Sequence, residues 1–465
     1  AGTVPADSSL GEKQDTIASR RLEVAAVLDA GQRDAMARFN LHPNQTKPRN
    51  VFVALPTLQS MLGLGDRVNA IAFAVDSNAA GEAVSEPALQ TARKALHPPL
   101  GDFGLSVEQL PTLGDGVARL QISADRLVVS PHVVEAVAEL FGADAVQPST
   151  TYLANTIEAL GNKIPYSTVT GVEPRADLGP LLDAQGQPIE LADDQVALNE
   201  WAAADLGVQI GDEITLTYYQ PETTHGELVE AEPLRLKLAA VAPLTDDQGH
   251  ATLAADPAFA PELPGVTDQR SISDWDLPFE LVETVRREDE DYWDEYRTTP
   301  KAFVSLNLAK RLWSTRWGTL SVLRLAADDA HSVKSVSQQL RRALDPAELG
   351  MRLTPSKREA LDAASGTTPF DGLFLGFSFF LMASAVMLVA LLFRLGVEQR
   401  AAEVGLLLAT GLPESRLRRL FTTEAAIVSA LGAACGVALG VVYARVMIHG
   451  LNTWWVAATA APFLQ

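Results

Sequence analysis

The sequence predicts an α+β domain outside the membrane, followed by α-helical transmembrane segments. One observation behind this prediction is a change of charge along the chain. The 465 residues carry a formal net charge of −21, but residues 373–465 carry +2, so residues 1–372 carry −23. The other is a change of pattern. Residues 1–365 alternate short strand-like and helix-like segments, whereas two charge-free stretches of 20 or 21 residues follow them.

Composition excludes several classes of protein. Hydrophobic residues make up 47% of the chain and charged residues 20%, which is enough to bury large cores and argues against disorder. A strongly acidic chain is a poor ligand for nucleic acid, because phosphate backbones require Lys and Arg. The single cysteine, Cys435, excludes a disulfide framework and a cysteine-based zinc site.

Residues 1–365 are predicted to form the extracytoplasmic α+β domain. Strand patterns occur at 22–28, 50–55, 69–75, 212–219, 234–241, 302–306 and 320–326. Helix patterns occur at 131–142, 152–161, 197–206 and 333–344. Residues 51–75 parallel 302–326, and 125–142 parallel 194–211. This repetition predicts a duplicated or two-lobed domain, unless the strand–helix–strand units resemble each other by chance.

The predicted membrane part, 366–465, contains two candidate spans. Residues 373–393 lack any charge over 21 residues, about 31 Å of helix, which is enough to cross a hydrocarbon core of ~30 Å. The second span, 425–446, begins with 20 uncharged residues. Two buried helices of a globular core are the alternative, but such helices rarely stay uncharged for so long.

The second span carries three glycines spaced four residues apart, Gly432, Gly436 and Gly440. Small residues at this spacing share one helix face and allow another backbone to approach closely. We therefore predict a helix-packing face, although glycine is also simply common in membrane helices.

The distribution of arginine predicts the orientation of the spans. The connector 394–424 contains five Arg, whereas 359–372 contains neither Lys nor Arg. Short basic loops remain in the cytoplasm, so residues 1–372 are expected outside. Arg445, at the outer end of the second span, runs against this rule and would have to snorkel or pair.

An export signal or first span before Ala1 and further spans after Gln465 are also expected, as in a fragment of a larger membrane protein.

The connector is predicted to contain two short helices separated at Gly411-Leu412. Pro413 suits the first position of the second helix, where its missing N–H costs nothing. Leu417, Leu420 and Phe421 recur there at helical spacing, with arginines on the other faces. A basic amphipathic helix of this kind is typical of an element that lies on the membrane surface.

The connector resembles the signature of the FtsX/MacB-like ABC transporter permeases. The residues that carry the resemblance are Arg400, Glu403, Val404, Gly405, Leu406, Ala409, Gly411 and Glu424. Leu408 stands where the family often has a basic residue. The resemblance covers about 371–446. A weaker likeness to the MacB-like periplasmic core domain includes 206–212, with its Gly-Asp turn leading into a strand.

This resemblance implies a non-catalytic, multi-pass permease subunit of a bacterial inner membrane, working with a separate cytoplasmic ABC ATPase. Homodimers or heterodimers of permeases are implied, with a periplasmic partner protein or a lipoprotein as substrate. Export, lipoprotein extraction and mechanotransmission all remain open. The chain has no GxxxxGK[ST] motif, so ATP would be bound by the partner. Residues expected to couple the two proteins are Arg400, Glu403, Gly405, Leu406, Ala409, Gly411, Arg416, Leu417 and Leu420.

No catalytic, cofactor or metal site is predicted. The seven histidines lack ligand spacing, and no nucleophile motif is present. The acidic run 288–295 is expected to be a solvated loop, with docking of a basic partner or loose Ca²⁺ binding as alternatives. Two rival functions remain: a membrane-anchored extracellular binding or sensing protein without an ATPase partner, and an ectoenzyme.

Overall fold

The structure of the chain is a computed structural model. It describes residues 21–28, 39, 49–63, 65–73, 86–175, 177–223, 228–262, 265–275, 281–359 and 370–453. These residues divide into two compact units. The sheet unit is Gln90–Leu353, and the helical unit contains the described residues before Gln90 and after Leu353.

The sheet unit contains a nine-stranded sheet with the order β1-β2-β9-β3-β4-β8-β5-β7-β6. The strands are β1 Leu105–Gln109, β2 Arg119–Ala124, β3 Gln147–Ala159, β4 Asn162–Val172, β5 Gln195–Asn199, β6 Glu213–Tyr218, β7 Leu234–Ala242, β8 Ala302–Ser305 and β9 Val322–Ala326. Neighbouring strands are antiparallel except for the parallel pairs β4–β8 and β5–β7.

Six of these strands close into a ring. Strand β3 pairs with β9 through its first residues and with β6 from Ala154 to Glu158, while β4 runs along its other edge. The pairings β3–β4–β8–β5–β7–β6 therefore return to β3. A closed ring leaves none of these strands as a free edge that could template aggregation.

Two hydrophobic clusters stabilise the sheet unit. One is formed by alternate residues of the ring strands and by helices α4 (Glu200–Leu206) and α6 (Leu306–Trp313), with Ile157 and Leu238 fully buried. The other joins β1, β2 and β9 to helices α3 (Pro131–Phe141) and α7 (Val333–Ala343). Both follow the alternation that places every second strand residue on one face.

Side-chain caps fix where several helices begin. Asn199 at the end of β5, Ser305 at the end of β8, and Ser332 each accept a backbone N–H from the first turn of the next helix. In β4, Gly171 lies directly beneath Ala309 of α6, and a side chain at this position would collide with Ala309. The remaining helices are α1 Leu55–Leu62, α2 Glu86–Ala95, α5 Arg287–Tyr296, α8 Phe370–Gln399, α9 Ala401–Ala409 and α10 Glu414–Thr453.

Much of the predicted secondary structure is confirmed, mainly after residue 200. The strands predicted at 212–219, 234–241, 302–306 and 320–326 correspond to β6, β7, β8 and β9. The helices predicted at 131–142 and 333–344 correspond to α3 and α7. The helix predicted at 197–206 begins only at Glu200, because 197–199 still pair as part of β5.

Other predictions are wrong. The segments 22–28, 50–54 and 69–73 contain no strand, residue 55 opens α1, and residues 74–75 lie outside the described part. The helix predicted at 152–161 is the second half of β3 and the following turn. Pairing on both edges of β3 overrides the helical periodicity there, and its Thr, Tyr and Ile content was the available strand signal. The sequence patterns did not predict strands β1, β2 and β4.

The acidic run 288–295 is a helix and not a solvated loop. It lies in α5, whose first turn contains Glu288, Asp289 and Glu290, the position where acidic side chains favour the helix dipole. Tyr292 and Trp293 are each only 3% exposed. Burial of these two rings explains why so acidic a segment is ordered.

In the helical unit, α8 and α10 contain two segments long and apolar enough to cross a membrane, Phe374–Gln399 and Glu414–Gly450. The predicted spans 373–393 and 425–446 lie within these two helices. Their apolar side chains are exposed in the chain by itself, as expected of surfaces that contact lipid.

Candidate functional site

The connector between the two long helices is built from a bend and a short helix. Helix α8 ends at Gln399, and Arg400 leaves the helical conformation with φ −97° and ψ 22°. Helix α9 then runs over Ala401–Ala409, and α10 begins at Glu414. The connector therefore reverses the chain over few residues.

Gly411 ends α9 in a Schellman arrangement. Its φ of +90° is in the region that favours glycine. The N–H of Leu412 donates to the carbonyl of Leu407 at 3.2 Å, and the N–H of Gly411 donates to the carbonyl of Leu408 at 3.0 Å. The left-handed end of α9 is a physical reason for Gly411, which is one of the residues that carry the resemblance to the permease signature.

An ion pair joins the two ends of the connector. Arg400 Nη1 lies 3.3 Å from both carboxylate oxygens of Glu424, which is 24 residues further along the chain. Both side chains are about half exposed, so the pair contributes only ~0.2–1 kcal/mol. Its importance is geometric, because it holds the start of α9 against α10. Glu424 was part of the family pattern but was not predicted as a site residue.

The second predicted connector helix is not a separate element. Residues 414–421 are the first two turns of α10, which continues without a break into the predicted span. Pro413 precedes this helix, and its carbonyl accepts the N–H of Arg416 at 2.9 Å. The prediction of a separate helix that lies on the membrane surface is therefore wrong. The 11 residues 414–424 instead extend the span by roughly 16 Å along the helix axis.

The predicted coupling residues divide into buried and exposed groups. Leu417 is only 6% exposed, whereas Leu406 is 67% and Leu420 is 57% exposed. Exposed positions also include Glu403, Gly405, Ala409 and Arg416. Leu417 is therefore packed within the helical unit, and the exposed side chains of this set remain available to a partner.

Three basic side chains of α10 have no counter-ion among the residues that the structure describes. They belong to Arg416, Arg418 and Arg419, which are all exposed. By contrast, Arg394 pairs with Glu398 at 3.0 Å. The start of α10 thus presents an uncompensated positive charge.

The predicted packing glycines lie on α10 beyond the connector. At Gly432, Gly436 and Gly440, an added Cβ would meet no atom of the described chain within 4 Å. This face has room for another helix, and its role in packing stays a prediction.

The sheet unit holds a buried polar cluster that the sequence did not indicate. Lys301 is 3% exposed, and its Nζ lies 4.6 Å from the ring centres of both Trp201 and Tyr292. Asp289 Oδ1 lies 3.8 Å from this Nζ and accepts a hydrogen bond from Arg286 Nη2, while Asp289 Oδ2 accepts one from Arg286 Nε. Burial lowers the pKa of Lys301 to about 8, although Asp289 acts in the opposite direction. The cluster fastens α5 to α4 and to the segment before β8.

Two observations bear on small-molecule binding in the part of the chain that the structure describes. No group of three His, Cys, Asp or Glu side chains in this part of the chain could hold a metal ion. A groove beside α6 has an aliphatic floor that includes Leu181 and Ile189. Asp193 on its rim accepts hydrogen bonds from Ser305 and Asn307, and these bonds lower the pKa of its carboxyl group.

One comparison with known proteins matches the connector and the helices on either side of it. Residues 375–464 match the family model described as FtsX-like permease C-terminal. The C-terminal part of the chain is thus similar to the C-terminal domain of FtsX-like permeases. The match includes α9, the bend at Gly411 and the Arg400–Glu424 pair, so the residues of the sequence signature lie within the FtsX-like domain.

The other comparisons are less informative. A search of the curated proteins finds no match. The periplasmic region of MacB from Actinobacillus actinomycetemcomitans aligns over 52% of this chain and 86% of its own length, with 10% identity and a TM-score of 0.27. A domain of a putative permease protein from Porphyromonas gingivalis aligns over 47% and 73%, with 12% identity and a TM-score of 0.25. TM-scores this low carry no conclusion about the sheet unit.

Proposed function

We propose that the chain is the non-catalytic transmembrane subunit of an FtsX/MacB-like ABC transporter. In this role it couples ATP hydrolysis by a separate cytoplasmic ATPase to movement of an extracytoplasmic domain. The observation that carries the proposal is the connector of the FtsX-like domain. Its exposed side chains Arg416 and Leu420 belong to the same uninterrupted helix as the second candidate span.

This continuity gives a route for mechanical coupling. A helix without a break transmits an axial push or a rotation to its far end, whereas a flexible loop would absorb it. A force applied at Arg416 or Leu420 would therefore move the span itself. Helix α9 would follow, because the Arg400–Glu424 pair and the Gly411 turn hold it against α10.

The orientation follows from charge. The five arginines of 394–424 support a cytoplasmic connector, and in the proposed orientation the acidic sheet unit is outside the bacterial inner membrane. The connector offers an ATPase a basic surface with exposed leucines, so a complementary partner surface would be acidic and partly apolar. Two permease protomers with two ATPases, further spans, and a periplasmic protein or lipoprotein as the object of movement complete the proposed assembly.

The test is to isolate the P-loop ATPase that co-purifies with the full chain and to reconstitute the two proteins together in lipid vesicles. We expect the permease to stimulate ATP hydrolysis, and the double variant Glu403→Lys, Arg416→Glu to lose most of this stimulation. The matched control is Lys310→Glu, a charge reversal at an exposed lysine of α6 in the sheet unit, which should retain it.

Binding of the ATPase to the vesicles should be measured alongside its activity. Wild-type stimulation that persists in the double variant would contradict the coupling role of these residues. If the wild-type chain neither binds nor stimulates the ATPase, the membrane-anchored binding or sensing protein becomes the better explanation.

A further inference from the structure

Three aliphatic side chains of the sheet unit stand out by their exposure. Val282 is 79% exposed, Leu160 is 70% and Ile210 is 68%. Among the large hydrophobic residues described in this unit, the next most exposed is Val229, at 42%. Single exposed hydrophobic residues are ordinary, but a group of them in one place indicates a contact surface.

The three side chains lie at one end of the six-stranded ring. Leu160 is in the two-residue turn between β3 and β4, and Ile210 is in the loop between α4 and β6. Asn162 links these two segments by donating from Nδ2 to the carbonyl of Leu206 at 3.1 Å. Strand β6 also runs beside β3 up to Glu158, so both loops lie at the same end of the ring.

The third residue, Val282, is held against the same hairpin. It precedes Glu283, whose carboxylate lies 3.3 Å from Lys163 Nζ at the start of β4. The backbone N–H of Glu283 also donates to the Tyr166 hydroxyl at 2.8 Å. Leu160, Ile210 and Val282 together are called the apolar tip.

Leu160 is unfavourable for the fold as well as for solubility. Its φ is +52°, and that of the following Gly161 is +88°. A two-residue hairpin turn with both φ values positive strongly favours Asn-Gly, because a leucine in this conformation crowds its own backbone. A residue that costs stability and exposes a hydrocarbon side chain indicates a function outside the fold.

The charges around the apolar tip restrict what it can contact. The acidic groups nearby outnumber the basic ones by four to three: Glu158, Asp212, Glu213 and Glu283 against Lys163, Arg235 and Lys237. Two such tips would repel each other, which disfavours contact with a second copy. An anionic lipid surface would be repelled in the same way.

We propose that the apolar tip inserts into the interface of a bilayer of zwitterionic phospholipid. Such a surface is within reach, because only 16 residues lie between Leu353 and Phe370, the start of α8. Fully extended, they span up to ~55 Å, more than the roughly 18 Å radius of gyration typical of a domain of this size. Aliphatic side chains on tight turns can enter the interface while the backbone remains in water. This proposal does not depend on ATPase coupling.

The test uses the full chain in nanodiscs of phosphatidylcholine. In a Cys435→Ala background, Ile210→Cys and Val282→Cys are each labelled with bimane, and nitroxide-bearing lipids serve as the quencher. Leu140→Cys on α3 is the matched control, since Leu140 is also an exposed aliphatic residue but α3 packs in the hydrophobic cluster of β1, β2 and β9. We expect at least twofold stronger quenching at 210 and 282 than at 140.

A second variant separates lipid contact from damage to the fold. Leu160→Asn creates the preferred Asn-Gly turn, so it should raise the urea midpoint while reducing quenching at 210 and 282 to the level at 140. Adding anionic phosphatidylglycerol should also weaken the quenching. Equal quenching at all three sites, quenching unaffected by Leu160→Asn, or a disulfide between the unlabelled Ile210→Cys positions of two copies would each overturn the proposal.

Discussion

Replacing the buried Lys301 should change how the stability of the chain depends on pH. Its Nζ is enclosed by the rings of Trp201 and Tyr292, and the carboxylate of Asp289 lies 3.8 Å away. Burial disfavours the charged amine, so its pKa falls from 10.5 to about 8. The substitution Lys301→Met keeps a similar volume and removes the charge.

The size and sign of the effect follow from proton linkage. A decrease of the pKa from 10.5 to about 8 corresponds to roughly 3 kcal/mol of unfavourable free energy in the folded state, present in full below pH 8. Between pH 8 and 10.5 the unfolded chain keeps this proton while the folded chain loses it. The contribution of Lys301 to the free energy of unfolding therefore rises with pH across that window. Burial raises the pKa of Tyr292, so its phenol stays neutral there.

Urea unfolding of the full chain in detergent, followed by tryptophan fluorescence from pH 7.5 to 10.5, measures this contribution. Subtracting the Lys301→Met curve from the wild-type curve removes the titration of all other groups. We expect the difference to rise by up to about 3 kcal/mol. Lys310→Met, at an exposed lysine, should run parallel to wild type. A wild-type curve parallel to that of Lys301→Met would show that the buried amine does not titrate in this range.

Two further predictions concern single contacts. Asn199 is fully buried, accepts the N–H of Ala202, and donates to Tyr292 and to the Pro300 carbonyl, so Asn199→Ala should cost about 2–4 kcal/mol in the urea unfolding experiment. A loss below 1 kcal/mol would contradict these hydrogen bonds. Gly411→Ala should destabilise the end of α9 by about 1 kcal/mol and speed amide exchange in the connector, because alanine resists a φ of +90°. Gly405→Ala, within α9, is the control and should slow exchange or leave it unchanged.

The sequence predicts best those features that depend on local pattern. Two long uncharged stretches indicate membrane helices, because no neighbour is needed to satisfy a helical backbone in lipid. The strands β6 to β9 follow from alternation and β-branched content. The family signature identified the connector, and the glycine at 411 has a local cause in the left-handed end of α9.

Two of the wrong predictions failed because the structure depends on partners that lie far along the chain. Helix-like periodicity at 152–161 was overridden by strand pairing on both edges of β3, with partners up to 64 residues away, as for Ala154 and Tyr218. The acidic run 288–295 became a helix because Tyr292 and Trp293 found a buried site. The amphipathic turn after Pro413 gave no sign that it would continue directly into the span.

The sequence by itself determined that this chain joins an acidic α+β part to uncharged membrane helices through a basic connector, because charge and hydrophobic length are properties of consecutive residues. Only the tertiary structure closed the ring through β3 and β6, paired Arg400 with Glu424, and enclosed Lys301 between two aromatic rings. Each of these contacts joins residues that are distant in the chain. Their energies depend on burial and on distances that exist only once the chain has folded.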